Sequence, residues 1–203
     1  MNTLIYIKKL VPLECSCTRI TAVIWLSLII LTSGILAPLP GSAADLELLS
    51  VGIRARVGEK RVLGEEQPDS FREYDVIASL QLPWESYFCS GWGVSTRLLA
   101  SAGVLRGADK TALVASVIPV LAFGRQDGFL FDTGAGVAIL SRHRYAQQDL
   151  GGHLQFALTA GISIPLYRRL GLGYRYLHYS DAGVYGADTI GTDFHMVEVS
   201  YRF

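Results

Sequence analysis

Three residues near the C-terminus have the types and spacing for nucleophilic chemistry: His178, Ser180 and Asp193. A serine hydroxyl is a weak nucleophile until a neighbouring base takes its proton, and imidazole does this near neutral pH. A carboxylate must then orient the imidazole and stabilise its cation. On an extended chain, residues two apart point the same way, about 7 Å apart along the strand, so the side chains of His178 and Ser180 can approach each other. Asp193 opens the next apolar run, which the intervening loop would bring back beside the first. Asp188, inside that loop, is the second carboxylate available. Each residue also has a bland reading. His-x-Ser pairs recur in many strands, histidine and tyrosine are ordinary residues at a membrane rim, and Asp193 could cap the loop or pair with Arg142.

The elements that must position these residues are strands. In "LSVGIRARV", Leu49, Val51, Ile53, Ala55 and Val57 fall on one face, with Ser50, Gly52, Arg54 and Arg56 on the other. In "EYDVIASLQL", Tyr74, Val76, Ala78, Leu80 and Leu82 alternate with Asp75, Ile77, Ser79 and Gln81. Such period-2 alternation marks strands with two unlike faces. Further runs are read at Tyr87–Leu99, Leu113–Phe123, Gly128–Ser141, Gly152–Ile164, Leu170–Ser180 and Phe194–Phe203, separated by polar, Gly- or Pro-containing breaks. Eight antiparallel strands of this length fit two architectures. One is a soluble lipocalin-like barrel, apolar inside; the other is a transmembrane β-barrel, apolar outside with a polar or small interior.

Three features favour the transmembrane barrel. Arg54, Arg56, Arg97, Arg175 and Arg202 sit mid-strand on polar faces, which suits an interior of paired charges. Tyr74, Trp84, Tyr87, Trp92, Tyr174 and Tyr176 lie toward strand ends, as interfacial girdles do. The chain also ends within a strand, "VEVSYRF", whose terminal aromatic resembles the signal that bacterial outer-membrane barrels present to their insertion machinery. A closed ring of strands satisfies every backbone group in lipid, which an open sheet cannot do. Composition agrees: half of the 203 residues are hydrophobic and only 18% are charged, with a formal net charge of zero. No basic surface points to nucleic acid.

At the N-terminus, Lys8, Lys9 and Arg19 precede the apolar run Ile20–Leu31, and Ser42, Ala43 and Ala44 follow Pro38 and Pro40. A positive region, an apolar stretch and a small-residue cleavage site predict a signal peptide over residues 1–44 and a barrel over 45–203. Cys15 and Cys17 would leave with the peptide. The remaining Cys89 has no partner for a disulfide and is expected to pack in the barrel interior on the third strand. His143 and His153 flank a loop and are read as solvated. Four scattered histidines and one cysteine predict no zinc site, and "GAGVAI" lacks the strand–loop–helix context of a nucleotide site.

The segment "HYSDAGVYGADTIGTDFHMVEVSYRF" resembles the C-terminal end of the lipid A 3-O-deacylases, the PagL family of outer-membrane enzymes. Their motif reads His-x-Ser-Asn-Ala-Gly, then a short polar loop with a glycine, then an acidic residue opening the last strand. His178, Ser180, Ala182, Gly183 and Gly191 match it, and Asp193 falls at the acidic position if the loop holds one extra residue. Asp181 stands where the family has Asn, and Asp193 is one methylene shorter than the usual Glu. The resemblance implies an eight-stranded barrel with its active site on the exterior at the outer-leaflet interface. It implies an esterase acting on lipid A of lipopolysaccharide with no metal or organic cofactor. Ser180 would be the nucleophile, His178 the base and Asp193 the orienting acid. Asp181, Ala182 and Gly183 would border the oxyanion, and Tyr176 would meet the acyl chain. The implied partners are lipopolysaccharide and the insertion machinery, with a homodimer left open. A non-catalytic surface, adhesion or stress barrel is the alternative.

Overall fold

The computed structural model describes residues 46–58, 62–63, 71–125, 127–146, 148–186, 189 and 191–203. The signal peptide expected over 1–44 lies outside the described residues, as does Asp188. The described chain is eight antiparallel strands joined in sequence order into a closed barrel: β1 (Leu48–Gly58), β2 (Phe71–Tyr87), β3 (Trp92–Gly107), β4 (Lys110–Arg125), β5 (Leu130–Leu140), β6 (Leu154–Tyr167), β7 (Leu170–Ser180) and β8 (Thr192–Arg202). The last strand closes the ring on the first, with Val51 opposite Tyr201 and Ala55 opposite Val197.

Alternation decides what faces where. Ile53, Val76, Leu113, Leu121, Ile139 and Phe156 are exposed on the outside, whereas Arg54, Asp75, Ser95, Asp132 and Arg175 are buried inside. An apolar exterior around a polar interior is the transmembrane arrangement, and it removes the lipocalin-like reading. Two of the five mid-strand arginines, Arg54 and Arg175, are paired with interior carboxylates, and Arg56 donates to the backbone carbonyls of Gly58 and Phe71. Arg54 donates two hydrogen bonds of 2.7 Å to Asp75. Arg175 donates to Asp132 at 2.6 and 2.9 Å, and its guanidinium lies 3.7 Å from Glu198. Paired forks of this kind keep the cost of removing charge from water tolerable.

The two ends of the barrel differ. Both described chain ends and the tight β2–β3 and β6–β7 turns lie at one end, and the longer β1–β2, β5–β6 and β7–β8 connections lie at the other. In outer-membrane barrels the short turns are periplasmic, so the family resemblance implies that the longer loops face outward. At that outward end the lumen is filled by Phe71, Leu105, Leu140, Tyr145, Leu177, Tyr179, Phe194 and Met196. Toward the periplasmic end it opens into a cavity of about 480 Å³ lined by Gln81, Arg97, Arg175 and Glu198 among others. The filled end means that the lumen is not a through-channel.

Two sequence expectations change. Tyr87 ends β2 rather than opening β3, because Phe88–Gly91 form the turn, with Gly91 N–H donating to Phe88 O at 2.9 Å. Cys89 therefore lies exposed in that turn and is not an interior thiol. The boundary was hidden by Pro83, at which the β2–β3 register jumps from Gln81 opposite Arg97 to Glu85 opposite Ser95. Proline removes a ladder donor, and strands accommodate it at such bulges.

Removing one partner of a dry charge pair leaves the other charge uncompensated. The Arg54 and Asp75 side chains are 1% and 0% exposed. Asp75→Ala is expected to cost about 3–5 kcal/mol, read as a lower temperature at which the folded band is lost in heat-modifiable gel migration.

Candidate active site

The β7–β8 ladder sets the site. His178 and Asp193 are direct register partners, Tyr176 is opposite His195, and Tyr179 is opposite Thr192. Directly opposed residues have their Cβ atoms about 4.5–5.5 Å apart. A carboxylate therefore reaches a facing imidazole on a short side chain, and His178 Nδ1 lies 2.5 Å from Asp193 Oδ1. The direct register lets an aspartate, one methylene shorter than a glutamate, reach the imidazole. With Nδ1–H donating to the carboxylate, the lone pair of His178 sits on Nε2, the tautomer a general base requires.

Both residues have the parity of the outer face, since Leu177, Tyr179, Phe194 and Met196 are buried inside. Yet His178 is 8% exposed and Asp193 only 1%. The cover comes in part from the β1–β2 connection. The N–H groups of Val62 and Leu63 donate to Asp193 Oδ2 at 2.7 and 2.9 Å. Tyr176 Oη donates to Oδ1 at 2.9 Å. Four donors thus converge on one carboxylate and fix its direction.

Gly191 makes room at the other side of the imidazole. A Cβ there would lie 2.9 Å from His178 Cε1, 3.0 Å from Tyr179 O and 3.3 Å from His178 Nε2. Only glycine leaves the basic nitrogen open. Ser180 is half-buried on the same outward face, opposite Phe156 of β6. Among the described residues no hydrogen bond joins Ser180 to His178. Catalytic hydrogen bonds of free enzymes are commonly long and tighten when substrate is bound.

After Ser180 the chain turns sharply. Ala182 and Gly183 have φ of 52° and 79°, and Val184 N–H donates to Asp181 O at 3.0 Å. Two successive positive φ values closed by this bond make a type I′ turn, for which glycine at the second central position is well suited. The Asp181 carboxylate faces into the loop. It accepts Gly183 N–H and Tyr185 N–H at 3.1 Å each, and Thr189 Oγ1 donates to it at 2.9 Å. An amide would offer one acceptor oxygen to these three donors, so a carboxylate at this position has a structural reason. The Gly183 N–H is spent on Asp181, whereas the Ala182 N–H has no acceptor among the described residues.

The remaining polar residues nearby are tied locally. His143 Nδ1 lies 3.0 Å from Asp149 Oδ1, the His143 and His153 rings meet edge-on at 4.9 Å, and His153 Nδ1 lies 2.7 Å from Leu140 O. These contacts build the β5–β6 loop, so His143 is half-buried rather than solvated. Burial works upward on Asp149, but hydrogen bonds from His143, Gly151 N–H and Arg144 outweigh it and hold this carboxyl below its ordinary range. Among the described residues no group of His, Cys, Asp and Glu could hold a metal ion. On the outer face, Tyr174 Oη lies 2.5 Å from His195 Nδ1. Sequence reasoning missed the β1–β2 cover and the Tyr176–Asp193 bond. The first is made by backbone groups, which carry no residue signature, and the second needed the β7–β8 register.

Fold and site together define an outer-membrane-type barrel with a His–carboxylate pair and a serine on one outward face. Comparison with known proteins names the family. The family model described as Lipid A 3-O-deacylase (PagL) matches residues 73–202, and the chain belongs to that family. A lipid A deacylase PagL of Bordetella bronchiseptica is 27% identical over 125 residues, covering 59% of this chain and 70% of that protein. The crystal structure of the outer membrane enzyme PagL superposes with a TM-score of 0.61 at 20% identity, covering 76% of this chain and 99% of that one. The protein is therefore an ester hydrolase of the bacterial outer membrane.

Two substitutions probe the geometry. Gly191→Ala pushes the imidazole aside, and displacement on the order of 1 Å costs about a hundredfold in rate. Its heat-modifiable migration should match the wild type. Tyr176→Phe removes one of four donors to Asp193 and should lower kcat about tenfold with little change in KM, checked by steady-state kinetics in detergent micelles.

Proposed function

We propose that this protein removes an ester-linked acyl chain from lipid A, at the 3-O position that its family is named for. The observation that carries the reading is the 2.5 Å His178–Asp193 contact on the outward face, with Ser180 next along the same face. Ser180 Oγ attacks the ester carbonyl carbon while His178 Nε2 accepts its proton. The resulting oxyanion is met by the Ala182 N–H, which the Asp181-held turn presents. Collapse breaks the bond to the sugar oxygen, and His178 returns the proton to that leaving group. Water, activated by His178 in turn, then attacks the acyl-serine and releases a fatty acid with Ser180 restored. Asp193 keeps the imidazole in one tautomer and stabilises its cation throughout.

An outward-facing site suits a substrate that lies in the membrane. Lateral diffusion in the outer leaflet would deliver the ester. The acyl chains would pack on the exposed band that includes Tyr174, Phe156 and Leu158, beside Tyr176. Insertion of the barrel would use the C-terminal strand that closes on β1, where Phe203 N–H donates to Leu49 O at 3.1 Å.

The test is a mass comparison of lipid A from cells expressing the wild type and Ser180→Ala. The wild type should remove one hydroxyacyl chain, and Ser180→Ala should reduce the rate by at least about a thousandfold. Intact lipid A in wild-type cells with a folded barrel would support the alternative, a barrel without catalytic activity.

A further inference from the structure

Arg72 of β2 and Arg106 of β3 are direct cross-strand partners. Their chain neighbours Phe71, Glu73, Leu105 and Gly107 are buried on the inner face, and both arginines are exposed. They therefore stand side by side on the outer wall, one residue from the outward ends of their strands. Among the described residues neither has a carboxylate partner. Like charges placed directly opposite each other repel and destabilise a ladder. The pair is relieved when an anion bridges it, and two planar guanidinium forks match the oxygens of a phosphate better than those of any single carboxylate.

Their neighbourhood on the wall follows from register. Ala55 of β1 is opposite Tyr74 on one side and Val197 on the other. Arg72 is two residues outward of Tyr74, and His195 is two residues outward of Val197. Arg72 and His195 therefore lie on neighbouring stretches of the outer wall with only β1 between them, where Gly58 is opposite His195 after a one-residue shift, and two strand spacings amount to about 10 Å. Asp193 is one step further outward on the same face as His195. The arginine pair stands on the same outward end of the wall as the candidate active site, next to an exposed apolar band that includes Val76 and Leu113.

We propose that Arg72 and Arg106 form a binding site for a phosphate of the glycolipid headgroup whose acyl chain meets Ser180. The identity of this ligand rests on the deacylase reading; lipid A is a phosphorylated disaccharide carrying acyl chains. The phosphate would anchor the sugar at the outer rim while the chains descend along the wall toward β7 and β8.

The experiment uses the full chain refolded in detergent and carrying Ser180→Ala to prevent turnover. Binding is measured for diphosphoryl lipid A, its phosphatase-treated form and inorganic phosphate. The expected result is a preference of about tenfold for the diphosphoryl lipid, lost in Arg72→Gln/Arg106→Gln and weakened but still present in Arg72→Lys/Arg106→Lys, which keeps the charge without the fork. A preference that survives the glutamine pair, or equal loss of both lipids, overturns the proposal. Inorganic phosphate binding as tightly as the lipid would mark a free-anion site and overturn the headgroup assignment. Fatty-acid release by the wild type is assayed separately. Its absence would remove the deacylase reading while leaving the phosphate comparison interpretable.

Discussion

The site rests on one cross-strand contact, His178 against Asp193. Because the two residues are register partners, any slip of β8 against β7 by one position would turn Asp193 into the lumen and break the pair. Register here is held from several directions. Inside, Leu177, Tyr179, Phe194 and Met196 pack in the lumen. Outside, Val62 and Leu63 grip the carboxylate. At the far end, β8 is locked to β1 as the ring closes. The contact of two side chains is thus underwritten by closure of the whole barrel.

The same contact resolves a tension in the fold. A transmembrane barrel turns apolar residues outward, yet this outer face carries an acid, imidazoles and phenols within two strands. The acid is removed from its surroundings by backbone donors and Tyr176, so it is 1% exposed although its parity is outward. Buried charge is tolerable where it is fully hydrogen-bonded. Inside, Arg54 and Arg175 are held by bidentate bonds to Asp75 and Asp132, and the two sets of polar contacts are separated by the barrel wall.

Much of this was legible in the sequence. Alternation in β1 and β2 and the arginines in mid-strand on polar faces pointed to a closed barrel with a polar interior. The spacing of His178 and Ser180, with an acid opening the last strand, marked the candidate site, and the structure brings His178 and Asp193 into contact there. What stayed hidden has physical causes. The small residues of "ASAGVLRG" carry little contrast between faces, so the second half of β3 went unread. Pro83 displaced the β2–β3 turn and with it Cys89. The grip of Val62 and Leu63 on Asp193 is made by amides that any residue could supply. Asp181, expected to border the oxyanion, turns its carboxylate into its own loop, which only the turn geometry reveals.

The most direct test of the account is covalent. A long-chain alkyl fluorophosphonate should attach to an activated serine on this outer face, and peptide mass analysis would locate it. The account predicts label on Ser180, abolished in His178→Asn while the barrel stays folded. Label on another residue, or an unlabelled Ser180 in a protein that still releases fatty acid from lipid A, would contradict it.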